Sequence, residues 1–278
     1  MTQSQGFLRK MATELSEPVQ YSLVLGEQLV PLNEWVGKQV RLKFTGNIEC
    51  VACHKAIKKS YQRGYCYPCT QRLASCDMCI LKPEKCHYDR GTCREPLWGQ
   101  THCMQPHIVY LANSSGIKVG ITRESQVPTR WIDQGAIQAL PIFRVQTRYQ
   151  SGLIEVYLSQ HLADKTNWRK MLQGQVEKQD LNLKRDELLP EIAAGIQEIA
   201  GQFDFGAIEM LTAEEVVEIS YPVEVHPEKV KSLNFDKVPE IEATLQGIKG
   251  QYLLFDTGVI NIRNFGGYEV EFSADQSS

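Results

Sequence analysis

The chain has 278 residues, of which 42% are apolar and 23% charged, which excludes global disorder and allows substantial cores. The net charge of −3 hides an uneven distribution. Residues 38–100 carry 12 basic against 5 acidic side chains, 101–180 carry 9 against 6, and 181–278 carry 7 against 18. A basic middle is thus followed by an acidic tail.

No apolar run approaches the ~18 residues a membrane span needs, so no membrane association is expected. The first residues lack the apolar stretch of a signal peptide, and the expected location is cytoplasmic. All nine cysteines lie between Cys50 and Cys103. Without a secretion signal, clustered thiols point to metal rather than disulfides.

Residues 19–48 read as strands. Val19–Leu25 and Gln28–Leu32 flank a Gly26 turn, and Lys38–Phe44 alternates with period two. Two knuckles follow, Cys50-Val-Ala-Cys53 and Cys66-Tyr-Pro-Cys69, twelve residues apart. Each Cys-x2-Cys aims two thiolates at one ion, and two such turns close a zinc-ribbon-like tetrahedron. A second group comprises Cys76, Cys79, Cys86 and Cys93, with Cys103 able to replace one of them. Both sites are expected to hold structural Zn2+; an iron–sulfur cluster would also accept four thiolates. Lys55, Lys58, Lys59, Arg63 and Arg72 are interleaved with Tyr61, Tyr65 and Tyr67, a composition suited to phosphate contacts and base stacking.

Strands are expected at His107–Ala112, Ile117–Thr122 and Leu140–Gln146, with helices over Gln126–Gln134 and Leu153–Leu162. Residues 181–200 have helical spacing. Pro190 interrupts them and suits the first turn of a helix starting near Leu189. Val216–Tyr221, Ile241–Leu245, Gln251–Phe255, Val259–Arg263 and Tyr268–Phe272 are short strand-like segments cut by glycines. The fold class expected is α+β, in four parts. Residues 1–48 form an N-terminal β region and 49–105 a zinc-binding module. Residues 106–180 form an α/β domain and 181–278 an acidic helix with a β-rich end. The terminal strands are expected to share one small antiparallel domain.

The order strand, hairpin, strand, helix, strand, helix in 107–162 resembles the GIY-YIG nuclease superfamily. Val109-Tyr110-Leu111 stands at the first motif and Lys118-Val119-Gly120 at the second; Arg130 matches the family's helix arginine and Glu155 its glutamate. Lys118 replaces the second motif's tyrosine and Ile108 stands where the first motif has glycine. The resemblance implies that Tyr110 and Arg130 act near a scissile phosphate. It implies that Glu155 holds Mg2+ or Mn2+, and that Lys118 stands in the same catalytic group. Arg123 and Arg144 are further candidates for phosphate contacts. The whole chain, with Cys-Arg-Glu-Pro, Val-Tyr-Leu-Ala and Lys-Val-Gly-Ile-Thr-Arg, resembles the DUF2797 proteins, an uncharacterised bacterial family.

Three functions are therefore carried forward. One is a zinc-containing DNA- or RNA-binding endonuclease. The second is a DNA- or RNA-binding protein without catalysis. The third is a zinc-stabilised scaffold that meets a protein partner through its zinc module or its acidic C-terminal region.

Overall fold

Residues 2–162 and 167–275 are described by the structure, a computed structural model. The chain begins with β1 (Thr2–Phe7), β2 (Ala12–Glu14), β3 (Gln20–Leu25), β4 (Gln28–Pro31) and β5 (Gln39–Ile48). The Cys-rich block holds short helices α1 (Tyr67–Arg72) and α2 (Pro96–His102), joined by single 3-10 turns. Then come β6 (His107–Asn113), β7 (Ile117–Arg123), α3 (Thr129–Asp133), β8 (Gln138–Val145) and α4 (Arg148–Leu158). They are followed by α5 (Trp168–Leu172), α6 (Leu181–Ala200), β9 (Ile208–Met210) and β10 (Val217–Glu218). The chain closes with β11 (Glu240–Lys249), β12 (Tyr252–Phe255), β13 (Gly258–Asn261) and β14 (Tyr268–Ala274).

Both ends of the chain meet in one antiparallel sheet ordered β1-β14-β5-β11-β12-β13. On β5, Val40 and Leu42 turn inward while Arg41 and Lys43 turn outward. Leu42 lies opposite Phe272 and Lys43 opposite Glu271. Arg41 pairs with Glu240 at 2.7 Å and Lys43 with Glu271 at 3.6 Å. Part of the tail's acidity thus neutralises a basic strand of its own sheet.

The three-stranded sheet β2-β3-β4 packs beside this one. The α/β unit is a second antiparallel sheet, β10-β8-β6-β7, with β9 also on β8. Every residue of β6 is buried, because it is covered on both faces. Ile108, Tyr110 and Ala112 join the core of the terminal strands, with Trp35, Leu42 and Phe272. Val109 and Leu111 face the other way, onto Ile154 and Leu158 of α4 and Leu188 and Ile192 of α6. A period-two strand thereby serves two cores.

Several boundaries differ from the sequence reading. Helix α4 starts at Arg148 rather than Leu153, because Thr147 and Gln150 form a capping box. Helix α6 runs unbroken from Leu181 through Pro190 to Ala200, capped by the Asp180 side chain on the Leu183 N–H at 2.9 Å. Burial of Leu181, Leu188, Ile192 and Ile196 offsets the roughly 3 kcal/mol that an interior proline costs. The N-terminal β region holds a first strand, β1, that the strand segments placed over 19–48 do not include; Thr2-Gln-Ser-Gln-Gly-Phe7 is polar, and edge pairing to β14 holds it. The segment expected as a strand over Val216–Tyr221 contributes only Val217–Glu218.

Candidate functional site

The first four cysteines converge. Cys50 follows β5, Cys53 closes a turn, and Cys66 and Cys69 bracket the start of α1. Their sulfurs all lie within 4.8 Å of one another. The Cys66 N–H donates to the Cys50 sulfur at 3.2 Å, and Cys53 and Cys66 sulfurs are 3.8 Å apart. Burial pushes the Cys50 thiol up, but the N–H groups of Cys66, Cys53 and Ala52 outweigh it and bring it down to about 6. Burial, then the neighbouring thiols, push Cys69 up to about 12. No disulfide joins any of the nine cysteines. This cluster can coordinate a metal ion.

The second group lies around a separate space. A small cavity is lined by Cys79, Cys86, Cys93 and Cys103 together with His87, Arg94 and Trp98. Cys76, though buried, does not line it. Asp77, Cys79 and His87 also bring ligand atoms within 4.8 Å of each other. The Asp77 carboxylate accepts from the Cys79 N–H at 3.2 Å and pairs with Arg94 at 2.6 Å.

Of the residues read from the α/β unit, Lys118, Gly120, Arg123, Arg130 and Glu155 line one cleft of about 770 Å³, which Tyr110 does not line. Tyr110 and Gly120 are cross-strand partners, as are Ala112 and Lys118. Tyr110, Gly120 and Lys118 therefore share one face of the hairpin. The Tyr110 ring is buried beneath Gly120, where a β-carbon would lie 2.7 Å from the phenol oxygen. Glycine is required there by close approach rather than by its backbone angles. The Tyr110 hydroxyl donates to Gln134 at 3.0 Å. Burial pushes its pKa up to about 12; the Glu155 charge adds to this, while Arg130 opposes it by charge and hydrogen bond. Tyr110, Arg130 and Glu155 are thus within electrostatic reach of one another, and Lys118, Arg130 and Glu155 all line the cleft.

The cleft draws on all parts of the chain. Lys10 and Arg263 come from the terminal β module, and Arg63 and Lys82 from the Cys-rich block. Lys118, Arg123, Arg130 and Arg148 come from the α/β unit. Against these eight cations stand only Glu84, Asp133 and Glu155 among the described residues that line it. Asp133 is held by Lys10 at 2.6 Å and by Gln251 at 2.9 Å. Burial, and then the Arg130 charge, lower the pKa of Arg263. Burial likewise lowers that of Arg148, which also feels the thiols of Cys103 and Cys79.

The family model described as "Protein of unknown function (DUF2797)" matches residues 37–270. The chain belongs to this family. No curated protein and no solved structure matches it. In this DUF2797 protein the matched span holds both cysteine groups and every cleft residue named above except Lys10.

Some residues were misplaced or missed in the sequence. Arg144 turns away from the cleft to Glu124, at 2.8 Å, and Glu209, at 3.9 Å. Of the basic residues between the first knuckles only Arg63 reaches the cleft. Arg148 was missed, although the Thr147-x-x-Gln150 cap marks it as the first residue of a helix. Arg263 and Lys10 had no local signal, because only the meeting of the chain ends brings them here. Trp98 stacks on His102 at 4.1 Å, and both line the cleft. No helix among the described residues is long and apolar enough to cross a membrane.

Proposed function

We propose that this protein binds DNA or RNA by its phosphodiester backbone in the cleft. The first cysteine cluster would be a structural Zn2+ centre, and Tyr110, Arg130 and Glu155 a GIY-YIG-like centre that cleaves the bound strand. The observation that carries this is the excess of eight cations over three carboxylates in a concave site. Partly buried guanidinium groups in such a site concentrate phosphate more effectively than exposed lysines do. The cysteine cluster has four thiolates and no open position, which suits a structural ion.

Arg130 would meet the non-bridging oxygens as negative charge develops. Tyr110 stays a phenol at neutral pH, since burial raises its pKa to about 12, and its buried hydroxyl, donated to Gln134, would position that cleft-lining amide rather than meet phosphate itself. Lys118 adds a point charge on the same face, where the superfamily has tyrosine. Glu155 offers one carboxylate, enough for an Mg2+ or Mn2+ ion that keeps its waters and takes substrate phosphate as a further ligand. Such an ion supplies Lewis-acid charge at the phosphate and an acidified water.

A second reading, binding without cutting, is favoured by the burial of Tyr110, which removes it as a base. The experiment is a time course of single- and double-stranded DNA and RNA with Mg2+ or Mn2+, beside Glu155→Gln. Metal-dependent cleavage that falls ~100-fold or more in Glu155→Gln, with binding retained, is the expected result. Binding without cleavage leaves only the second reading. Absence of both overturns the nucleic-acid assignment.

A further inference from the structure

We propose a second structural metal centre formed by the thiolates of Cys79, Cys86, Cys93 and Cys103, with Cys76 outside it. The four cysteines border one cavity of about 10 Å³, the size of a single atom. Cys86 interacts with the thiols of both Cys79 and Cys103. Packing against helix α2 brings in the remaining one, Cys93. Cys103 caps the C-terminus of α2, with its N–H on the Gly99 carbonyl at 2.7 Å, and a β-carbon on Gly99 would stand 3.3 Å from the Cys93 sulfur. One helical turn thus separates Cys103 from Gly99, against which Cys93 lies.

Cys76 has other surroundings. Its sulfur is 4.0 Å from the Ser75 hydroxyl, and it feels the charges of Arg94, Cys50 and Glu95. The competing set of Asp77, Cys79 and His87 supplies three ligand atoms, where a closed zinc site takes four. Asp77 bonds the Cys79 N–H and Arg94, His87 Nδ1 lies 2.8 Å from the Thr92 hydroxyl, and His87 Nε2 lies 3.6 Å from Asp77. The Arg94 pair makes Asp77 the member of this set least able to serve as a ligand.

The cavity accommodates a single ion. Four thiolates around a single ion select zinc. The resulting charge of about −2 is met by Arg94 and by Arg148. Arg148 is fastened to this block twice, through its side chain to the Ile80 carbonyl at 2.7 Å and through its N–H to the Cys103 carbonyl at 2.8 Å. Cys103 and Trp98 line both the small cavity and the large cleft. The centre is therefore a wall of the cleft, and its existence does not depend on what the cleft binds.

The test is metal content of the purified full chain by mass spectrometry, repeated after Co2+ exchange to read sulfur-to-metal charge transfer. Wild type should carry about two zinc ions, Cys76→Ala should keep both, and Cys103→Ser should keep about one. Cys103→His, which retains a ligand, should keep both with a shifted cobalt band, and it serves where the serine variant fails to fold. The proposal is overturned by a single metal in wild type, by loss of one metal in Cys76→Ala, or by full retention in Cys103→Ser. A cobalt spectrum identical to wild type in Cys103→His also overturns it.

Discussion

The phenol of Tyr110 lies directly across the α-carbon of its cross-strand partner Gly120, so close that any β-carbon at 120 would stand 2.7 Å from the hydroxyl oxygen. This contact seats the hydroxyl beside Gln134 and Arg130. Gly120→Ala must displace either the ring or the strand. We expect a loss of about 1–3 kcal/mol in chemical denaturation, the usual penalty of overpacking. Tyr110→Phe in the same background should recover little, since Cζ is also only 2.7 Å away. An alanine variant as stable as wild type would contradict the packing.

Alkaline stability reports on the same tyrosine. Its folded-state pKa of about 12 lies above the usual phenol value of 10. Burial therefore favours the protonated form, and that stabilisation is complete below pH 10 and lost as pH rises from 10 to 12. Tyr21, Tyr221 and Tyr268 are raised too, so the wild-type loss is shared. Tyr110→Phe should lose about 1–2 kcal/mol less than wild type between pH 9 and pH 11. Parallel pH curves from denaturant titrations would contradict this.

Metal removal should act locally. The Cys-rich block has little apolar core of its own beyond the cysteines, Ile57, Tyr65 and Leu73. Chelation at mildly denaturing pH should expose residues 50–103 to protease while β6, buried along its length, and β8, buried except at Arg144, stay protected. Peptide mapping by mass spectrometry reads this directly. Uniform digestion of the chain would contradict it.

What was legible in the sequence was what short-range rules control. The first knuckles, the hairpin Ile117–Arg123 with its partner β6, and the period-two strand at β5 follow from local spacing. The chemistry-bearing residues that were missed share another property. Arg263 reaches the cleft only because β11 and β14 return to β5, and Lys10 only because β1 pairs with β14. Cys103, a possible replacement ligand in the sequence, borders the small cavity from the end of α2. Pro190 misled because tertiary burial of α6 overrides a local breaker. Polar β1 carried no apolar signal, since an edge strand needs mainly its backbone bonds.

Two arginines separate the cleft from generic surface charge. Arg263 is largely buried and lines the cleft, whereas Arg144 is exposed and paired with Glu124. Neutralising Arg144 should leave nucleic-acid affinity unchanged within twofold, while neutralising a cleft arginine should weaken it about equally for all sequences. Fluorescence anisotropy with two unrelated oligonucleotides checks this, and equal losses from both arginines would place the contacts outside the cleft.

The most direct test of the account is the salt dependence of oligonucleotide binding by wild type and by Arg130→Gln/Arg263→Gln, both verified for metal content and fold. The cleft reading predicts that log affinity falls linearly with log salt, and that the double variant binds more weakly with a slope reduced by about two. Wild-type binding whose affinity and slope are untouched by the two substitutions would contradict it, as would no binding at low salt.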